Sequence, residues 1–340
     1  MKKIVAVLLA LTVMFCFTGC SAKNKPITMV WTALQASEEF KGVREAFAAA
    51  VEQATGRDVE IKLSTDQNVS IESLVEGSAD ISYMGSAMYI QTTERTSDVE
   101  PLVVWSDAEG KLDNAYHGVW LAVRAEQAED YRIGGEYSLD NIQGKKMCYV
   151  SQVSSSGFRI PSATIASYFR QTEKWQNLTV DDLSVGGPGA FFSEVLFGGS
   201  YPATIYNLLT DKADIVALSE VETANHIELI SGPEGEPGAV YAVKASVAAP
   251  LDTVIGQELV IIATMRGNHS PLVYNTKNLS AEEVKKIREV LMSDECANNP
   301  YMGSPKDSDV VSLFIKTQDE RFVVADDAWF DSLRDLLTIK

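Results

Sequence analysis

Cysteine, histidine, basic charge and long apolar runs are all scarce in this chain. Four cysteines in 340 residues exclude a disulfide-built scaffold. The three histidines, His117, His226 and His269, fall on separate segments with no metal-ligand partner at usable spacing. A metal centre is therefore not expected, and each histidine is read as structural or exposed. Lys and Arg total 29 against 47 Asp and Glu, a net charge of −18 that argues against nucleic acid as a partner. Neither Gly-x-Gly-x-x-Gly nor a P-loop occurs, so no nucleotide is indicated and no cofactor is expected. Gly198-Gly199-Ser200-Tyr201-Pro202 misses the Gly-x-Ser-x-Gly nucleophile elbow at its last position, which weakens a serine hydrolase reading. What is present is ordinary: 46% hydrophobic and 22% charged residues form a core-building composition. At roughly 150 residues per domain the length suggests two folded units.

The N-terminus carries an address. Met1-Lys2-Lys3 is followed by the apolar stretch Ile4 to Phe17, too short to span a bilayer but suited to the core of a secretory signal. Thr18-Gly19-Cys20-Ser21 resembles the bacterial lipobox, with Phe17 at the usual Leu position and Cys20 as the lipid-modified first residue. A plain signal peptide with a coincidental cysteine is the alternative. Residues 1–19 are thus expected to be signal peptide and 20–26 a lipid-anchored tether. Their place is the outer face of a bacterial cytoplasmic membrane, or the periplasm. Cleavage removes two lysines and no acids, moving the net charge to −20. Cys148 and Cys296 remain, compatible with a disulfide and equally with two unrelated buried thiols.

Ile27–Thr32, Val59–Ser64 and Ala79–Met84 read as strands. Between them lie helices capped by Ser37, ending at Gly56, and by Ser70, ending at Gly77. After the extended stretch His117–Arg124 the alternation restarts: strand Met147–Val150, helix 162–173, strand 183–186, helix 202–210 and strand 213–218. The Gly- and Pro-rich run Ser231–Gly238 is a loop. Leu259–Met265 and Leu272–Asn275 are followed by helices expected near 280–292, 307–316 and 326–338. The pattern predicts an α/β fold of two lobes around a cleft, lobe one taking 27–120 and 262–340 and lobe two 121–261. Ligands in such folds sit beyond the C-terminal ends of the strands, where helix N-termini point.

Val153-Ser154-Ser155-Ser156-Gly157 directly follows one of those strands and precedes a helix. Three hydroxyls with free backbone N–H groups make a neutral cradle for an oxyanion, although a generously provided helix cap explains them too. A second donor-rich helix start lies at Gly198–Thr204, with Pro202 suited to the first helical position and Tyr201 beside it. Gly186-Gly187-Pro188-Gly189 is a further close-approach loop or a simple turn. Trp31, after the first strand, either walls the cleft or belongs to the core. Arg159 adds charge to the serine turn or faces solvent. Glu220, past strand 213–218, is a candidate for an amine-bearing ligand or a solvated loop carboxylate.

These segments resemble the phosphonate/phosphite-binding proteins of bacterial ABC importers, a branch of the type II periplasmic-binding-protein fold. Thr65-Asp66 through Asp80 and Met84-Gly85-Ser86-Ala87-Met88-Tyr89 resemble the family's first-lobe segment. Tyr116-His117-Gly118-Val119 is similar to its passage into the second lobe, and Ser138–Lys146 to its Ser-Leu-x-x-Leu-x-Gly-Lys segment. Ser154-Ser155-Ser156-Gly157 with Pro161 matches the phosphonate cradle, and Gly199 through Asp214 resembles the Gly-x-His segment. Tyr201 stands where the family commonly has His, and Gln67 where it has Tyr. A tyrosine still donates one hydrogen bond but cannot become cationic near neutral pH.

The resemblance implies a tethered solute-binding lipoprotein that is not an enzyme. It captures a phosphonate- or phosphite-like oxyanion and delivers it to a membrane permease and its ATPase. Ser154, Ser155 and Ser156 would hold the anion, Tyr201 would assist, and Tyr116, Gln67 and Ser86 would complete the walls. Binding of another small polar solute, ligand sensing for a membrane receptor, and a serine-dependent enzyme on the same fold are the alternatives. The enzyme would need a His or Lys beside the serines, and the sequence places none there.

Overall fold

The computed structural model describes residues 25–32, 35–64, 66–305 and 308–338. The expected signal peptide, Cys20 and the tether up to Asn24 lie outside the described residues.

Two sheets, each with helices on both faces, organise the chain. The first has the order Arg321–Val323, Val99–Ser106, Leu272–Asn275, Ile81–Tyr83, Ile27–Trp31, Val59–Leu63. One side of it is parallel: Ile27–Trp31 pairs with the edge strand Val59–Leu63 and with Ile81–Tyr83, to which Leu272–Asn275 then joins antiparallel. All five residues of Ile27–Trp31 are buried, as a strand covered on both faces requires. Helix Lys41–Thr55 packs on one face through Val43, Phe47 and Val51, spaced four apart so that they share one side of the helix. Phe47 meets Trp31 edge-on at 5.5 Å and Phe322 at 5.7 Å. Truncating a ring so placed costs about 3–5 kcal/mol.

The second sheet has the order Ile227–Ser231, Val240–Val243, Glu258–Asn268, Tyr116–Arg124, Ile215–Ser219, Lys146–Tyr149, Glu194–Phe197. Tyr116–Arg124 runs antiparallel to Glu258–Asn268 along its whole length, so the chain enters and leaves this sheet through two adjacent strands. Lys146–Tyr149 lies parallel to Ile215–Ser219 and to Glu194–Phe197. The C-terminal ends of Lys146–Tyr149 and Ile215–Ser219 lead directly into the serine turn and the helix Glu220–Thr223. Ile81–Tyr83 of the first sheet leads likewise into helix Ser86–Thr93.

Several local expectations change. Asp66, not Ser70, caps the helix Gln67–Val75, its carboxylate accepting from Asn68 N at 2.8 Å. Ser37 caps no helix; its hydroxyl reaches Glu39 instead. Residues 182–184 form a 3-10 turn, and the strand expected there lies at Glu194–Phe197. Phe314–Lys316, expected to be helical, is a strand paired with Gly303–Pro305: Leu313, Phe314 and Ile315 form a short continuous apolar run, which periodicity alone does not assign to helix or strand. Helix Ala281–Leu291 forms with the predicted start: Ser280 and Glu283 make a capping box. Cys148 and Cys296 are buried, free thiols.

Candidate functional site

The serine turn is built by its own first residue. Ser154 Oγ accepts from Gly157 N at 3.1 Å, so this hydroxyl does cap the turn. The backbone then winds through a π-helical turn, Ser155–Arg159, before helix Ile160–Phe169 begins with Pro161 near its start. Gly157 is required here: a Cβ would lie 2.6 Å from the Val150 side chain and 2.8 Å from Ser154 Oγ.

Across the gap, the first lobe touches the turn directly. Ala87 N, at the start of helix Ser86–Thr93, donates to Ser155 Oγ at 2.8 Å. Gly85 permits the approach, since a Cβ there would stand 2.6 Å from the same oxygen. Ser151 Oγ donates to Gln67 Oε1 at 2.5 Å, a second contact between the lobes. The halves therefore meet in a closed arrangement around a cavity of about 40 Å³. That volume holds only a few water-sized groups.

Ser154, Ser155, Ser156, Tyr201 and Gln67 line this cavity together with Tyr83, Gly85, Trp105, His117, Ser219, Glu222, His269 and Ser270. The tertiary fold thus brings five of the sequence-nominated residues to one place. The Tyr201 hydroxyl interacts with Ser154, Ser156 and Ser219, and burial raises its pKa, so it remains a protonated donor. Ser200, one residue earlier, caps the helix through Ala203 N.

The remaining four nominated residues sit elsewhere. Trp31 is fully buried in the first-lobe core against Phe47. Ser86 is also fully buried and does not line the cavity; its neighbour Gly85 does. Tyr116 and Glu220 line an adjacent chamber of about 260 Å³ with Trp120, Glu234 and Tyr241. Tyr116 is covered by the Arg266 guanidinium, 3.5 Å from its ring centre. Glu220 Oε2 accepts from Gly118 N at 2.6 Å, fixing the strand and not facing the serines. Arg159 does not reach the cavity either; its guanidinium lies by the Phe158 ring.

Of the lining residues that the sequence reading did not nominate, three bear most on the chemistry: His117, His269 and Glu222. His117 Nε2 is 2.9 Å from Ser156 Oγ, so a possible base does stand beside the serines. Burial pushes its pKa down to about 4, which keeps the ring neutral. Its other nitrogen, Nδ1, is buried without a hydrogen-bond partner among the described residues. His269 stacks on His117 at 5.5 Å and on Trp105 at 3.4 Å, and its Nδ1 lies 2.7 Å from the Trp105 carbonyl oxygen. Burial holds it neutral as well. Neither ring is structural filler or surface. Position 117 had one available signal, its place between Tyr116 and Gly118 in the segment that resembled the family's. The third residue, Glu222, had none, being one acid among 47 acidic residues.

Apart from the Glu222 carboxyl, the polar side chains of the cavity are uncharged hydroxyls, phenols, an indole, an amide and imidazoles, with no Lys or Arg in the wall. Such a site holds an oxyanion by short hydrogen bonds, in the manner of a helix-start anion cradle. Among the described residues no cluster of His, Cys, Asp and Glu could hold a metal. No helix among them is long and apolar enough to cross a membrane.

Comparison with known proteins bears on the same region. A family model described as the periplasmic substrate-binding protein of a phosphonate ABC transporter matches residues 29–330. The phosphate-import protein PhnD of Mycolicibacterium smegmatis is 26% identical over 157 residues. That match covers 43% of this chain and 46% of the relative, about half its length. Among solved structures, a binding protein component of an ABC phosphonate transporter from Pseudomonas aeruginosa superposes with a TM-score of 0.60. It has 17% identity and covers 92% of this chain and 86% of that one. PhnD1 from Prochlorococcus marinus, in complex with methylphosphonate, gives a TM-score of 0.61 at 12% identity, over 92% and 97% of the two chains. The fold is accordingly the type II periplasmic-binding-protein fold, as the family resemblance implied and in keeping with the two α/β lobes that the alternation of strands and helices predicted.

Proposed function

The chain belongs to the phosphonate-binding family of ABC-transporter periplasmic substrate-binding proteins, and from that premise we propose that it captures a small phosphorus oxyanion, phosphonate or phosphite. The observation that carries this reading is convergence: Ser154, Ser155, Ser156, Tyr201 and His117 meet around one small cavity beneath the start of helix Ser86–Thr93. Residues 27–120 and 262–340 close on residues 121–261 by bending in the paired strands Tyr116–Arg124 and Glu258–Asn268. A permease and its ATPase then receive the ligand. The protein is a lipoprotein held through Cys20 on the outer face of the cytoplasmic membrane.

A thermal-shift screen tests the ligand, using phosphite, methylphosphonate, 2-aminoethylphosphonate, phosphate, sulfate and taurine. A ligand at 100 times its Kd stabilises by about 2.7 kcal/mol, roughly 4 °C for a protein of this size. At least one phosphorus oxyanion should respond, and the response should vanish when Ser154, Ser155 and Ser156 are all changed to Ala. No response from any of the six would refute the ligand class. For the anchor, Cys20→Ala should move the full-length protein from the membrane fraction to the soluble fraction of the expressing bacterium.

One observation favours a second reading. The 2.9 Å contact between His117 and Ser156 is the spacing of a nucleophile and its base. Against it, a ring with a pKa near 4 is a weak base. The unpartnered Nδ1 also lacks the carboxylate that orients such a histidine. Capture without chemistry is the stronger reading.

A further inference from the structure

One group in the cavity has no use in a cradle made only of donors. Glu222 lines it from the short helix Glu220–Thr223, immediately past the C-terminal end of strand Ile215–Ser219. Its carboxyl makes no hydrogen bond to any of the described residues. Every other polar side chain in the wall is an uncharged hydroxyl, phenol, amide or imidazole, and no Lys or Arg is present to neutralise a second negative charge. An anion entering this cavity therefore shares it with a carboxylate that no cation in the wall offsets. Two like charges in a poorly screened space repel, whereas one proton shared between them makes a short, charge-assisted hydrogen bond.

Resting on the function proposed above, we propose that Glu222 accepts the acidic proton of the bound oxyanion. The cleft then takes a hydrogen-bearing phosphorus oxyanion and rejects one of the same shape and charge that has no proton to share. The serine turn and Tyr201 hold the oxyanion head in the same cavity that Glu222 lines, so the proton nearest the carboxyl is that of the acid's own hydroxyl.

The surrounding groups are compatible with this role. Burial raises the Glu222 pKa to about 7, so carboxyl and ligand titrate in the same range and one proton serves either partner. Tyr83, from strand Ile81–Tyr83, and Tyr201, from helix Tyr201–Leu209, both have raised pKa values and stay protonated. His117 and His269 on the serine side are held neutral by burial. On its other side Glu222 borders a second cavity containing Glu39 and His226, whose pKa is also lowered by burial. Between about pH 7 and 9 these histidines and tyrosines keep one charge state, leaving the proton shared by Glu222 and the ligand to set the pH dependence.

Methylphosphonate and methanesulfonate make the decisive pair, being tetrahedral anions of matching size of which the second has no acidic proton near neutral pH. Calorimetry at pH 8 should show methylphosphonate favoured by at least about a hundredfold, as expected of a site whose buried polar group is otherwise left unpaired. Its affinity should fall by nearly tenfold per pH unit on the alkaline side, where neither partner holds the proton. Glu222→Gln, which can donate through its amide, should flatten that slope and bring the preference below about tenfold. A second measurement needs no variant. At pH 8.5, binding to the wild-type protein in buffers of different ionisation enthalpy should take up close to one proton. Equal binding of the two anions, an unchanged slope in Glu222→Gln, or zero proton uptake would each overturn the inference while leaving oxyanion capture intact. Failure of every phosphorus oxyanion to bind would overturn the function proposed above, and this inference with it.

Discussion

Replacing Gly85 by alanine separates the closed cleft from the fold that carries it. Gly85 has φ −61° and ψ 150°, an extended conformation that alanine adopts without strain, so the backbone has no objection. The obstacle lies across the gap, where the new Cβ would stand 2.6 Å from Ser155 Oγ and 3.5 Å from Ser155 Cβ. The serine hydroxyl must rotate away or the lobes must part. Either way the 2.8 Å bond from Ala87 N is lost, and with it the only partner seen for that buried donor among the described residues. A lost hydrogen bond is worth about 1 kcal/mol, and an unsatisfied buried N–H adds about 1 kcal/mol or more. A penalty of about 2 kcal/mol against the closed form weakens ligand binding roughly thirtyfold. Unfolding of the ligand-free protein should barely change, because an open cleft relieves the clash at little cost. Calorimetric titration with methylphosphonate gives the first quantity and thermal unfolding without ligand the second. Affinity within twofold of wild type for Gly85→Ala would refute the claim that the ligand is held in this closed arrangement.

A fluorophosphonate probe should leave the protein unlabelled, because His117 is too weak a base to activate Ser156; covalent labelling abolished by Ser156→Ala would establish the enzyme reading instead. Two buried groups should oppose each other in the pH dependence of stability. His117, lowered from 6.5 to about 4, makes the unfolded chain bind more protons and so makes stability rise with pH between those values. Glu222, raised from 4.5 to about 7, makes the folded chain bind more and so makes stability fall between those values. Each effect amounts to about 3 kcal/mol, and they offset in wild type where the ranges overlap. Relative to wild type, Glu222→Gln should therefore gain up to about 3 kcal/mol between pH 4.5 and 7 in denaturant titrations; a constant difference across that range would contradict the assignment. Cys148 and Cys296 are buried with raised pKa values, so both thiols should resist alkylation until the chain unfolds, and a reducing agent should leave Tm unchanged.

The fold and half of the site were legible because they are written in local chemistry. Alternating apolar strands and capped helices are short-range patterns, so the two α/β units and most element positions follow from periodicity alone. The misplaced strand at 183–186 and the false helix at 307–316 came from short segments in which both periods fit a few residues. Ser154 to Ser156 and Tyr201 were visible because anion cradles form at helix starts, which the sequence marks with Ser, Gly and Pro. Gln67 was carried only by resemblance to a family segment. Trp31, Ser86, Tyr116 and Glu220 failed as cavity residues for a single reason. Each lies on an element that borders the cleft, but the direction of a side chain depends on strand register and on lobe rotation, which no local pattern encodes. The same reason hid His117 and Glu222. A histidine beside a serine 39 positions away, and a carboxyl without a hydrogen-bond partner, acquire meaning only when distant segments are brought to one cavity, where burial, by stripping water from their charged forms, sets their protonation.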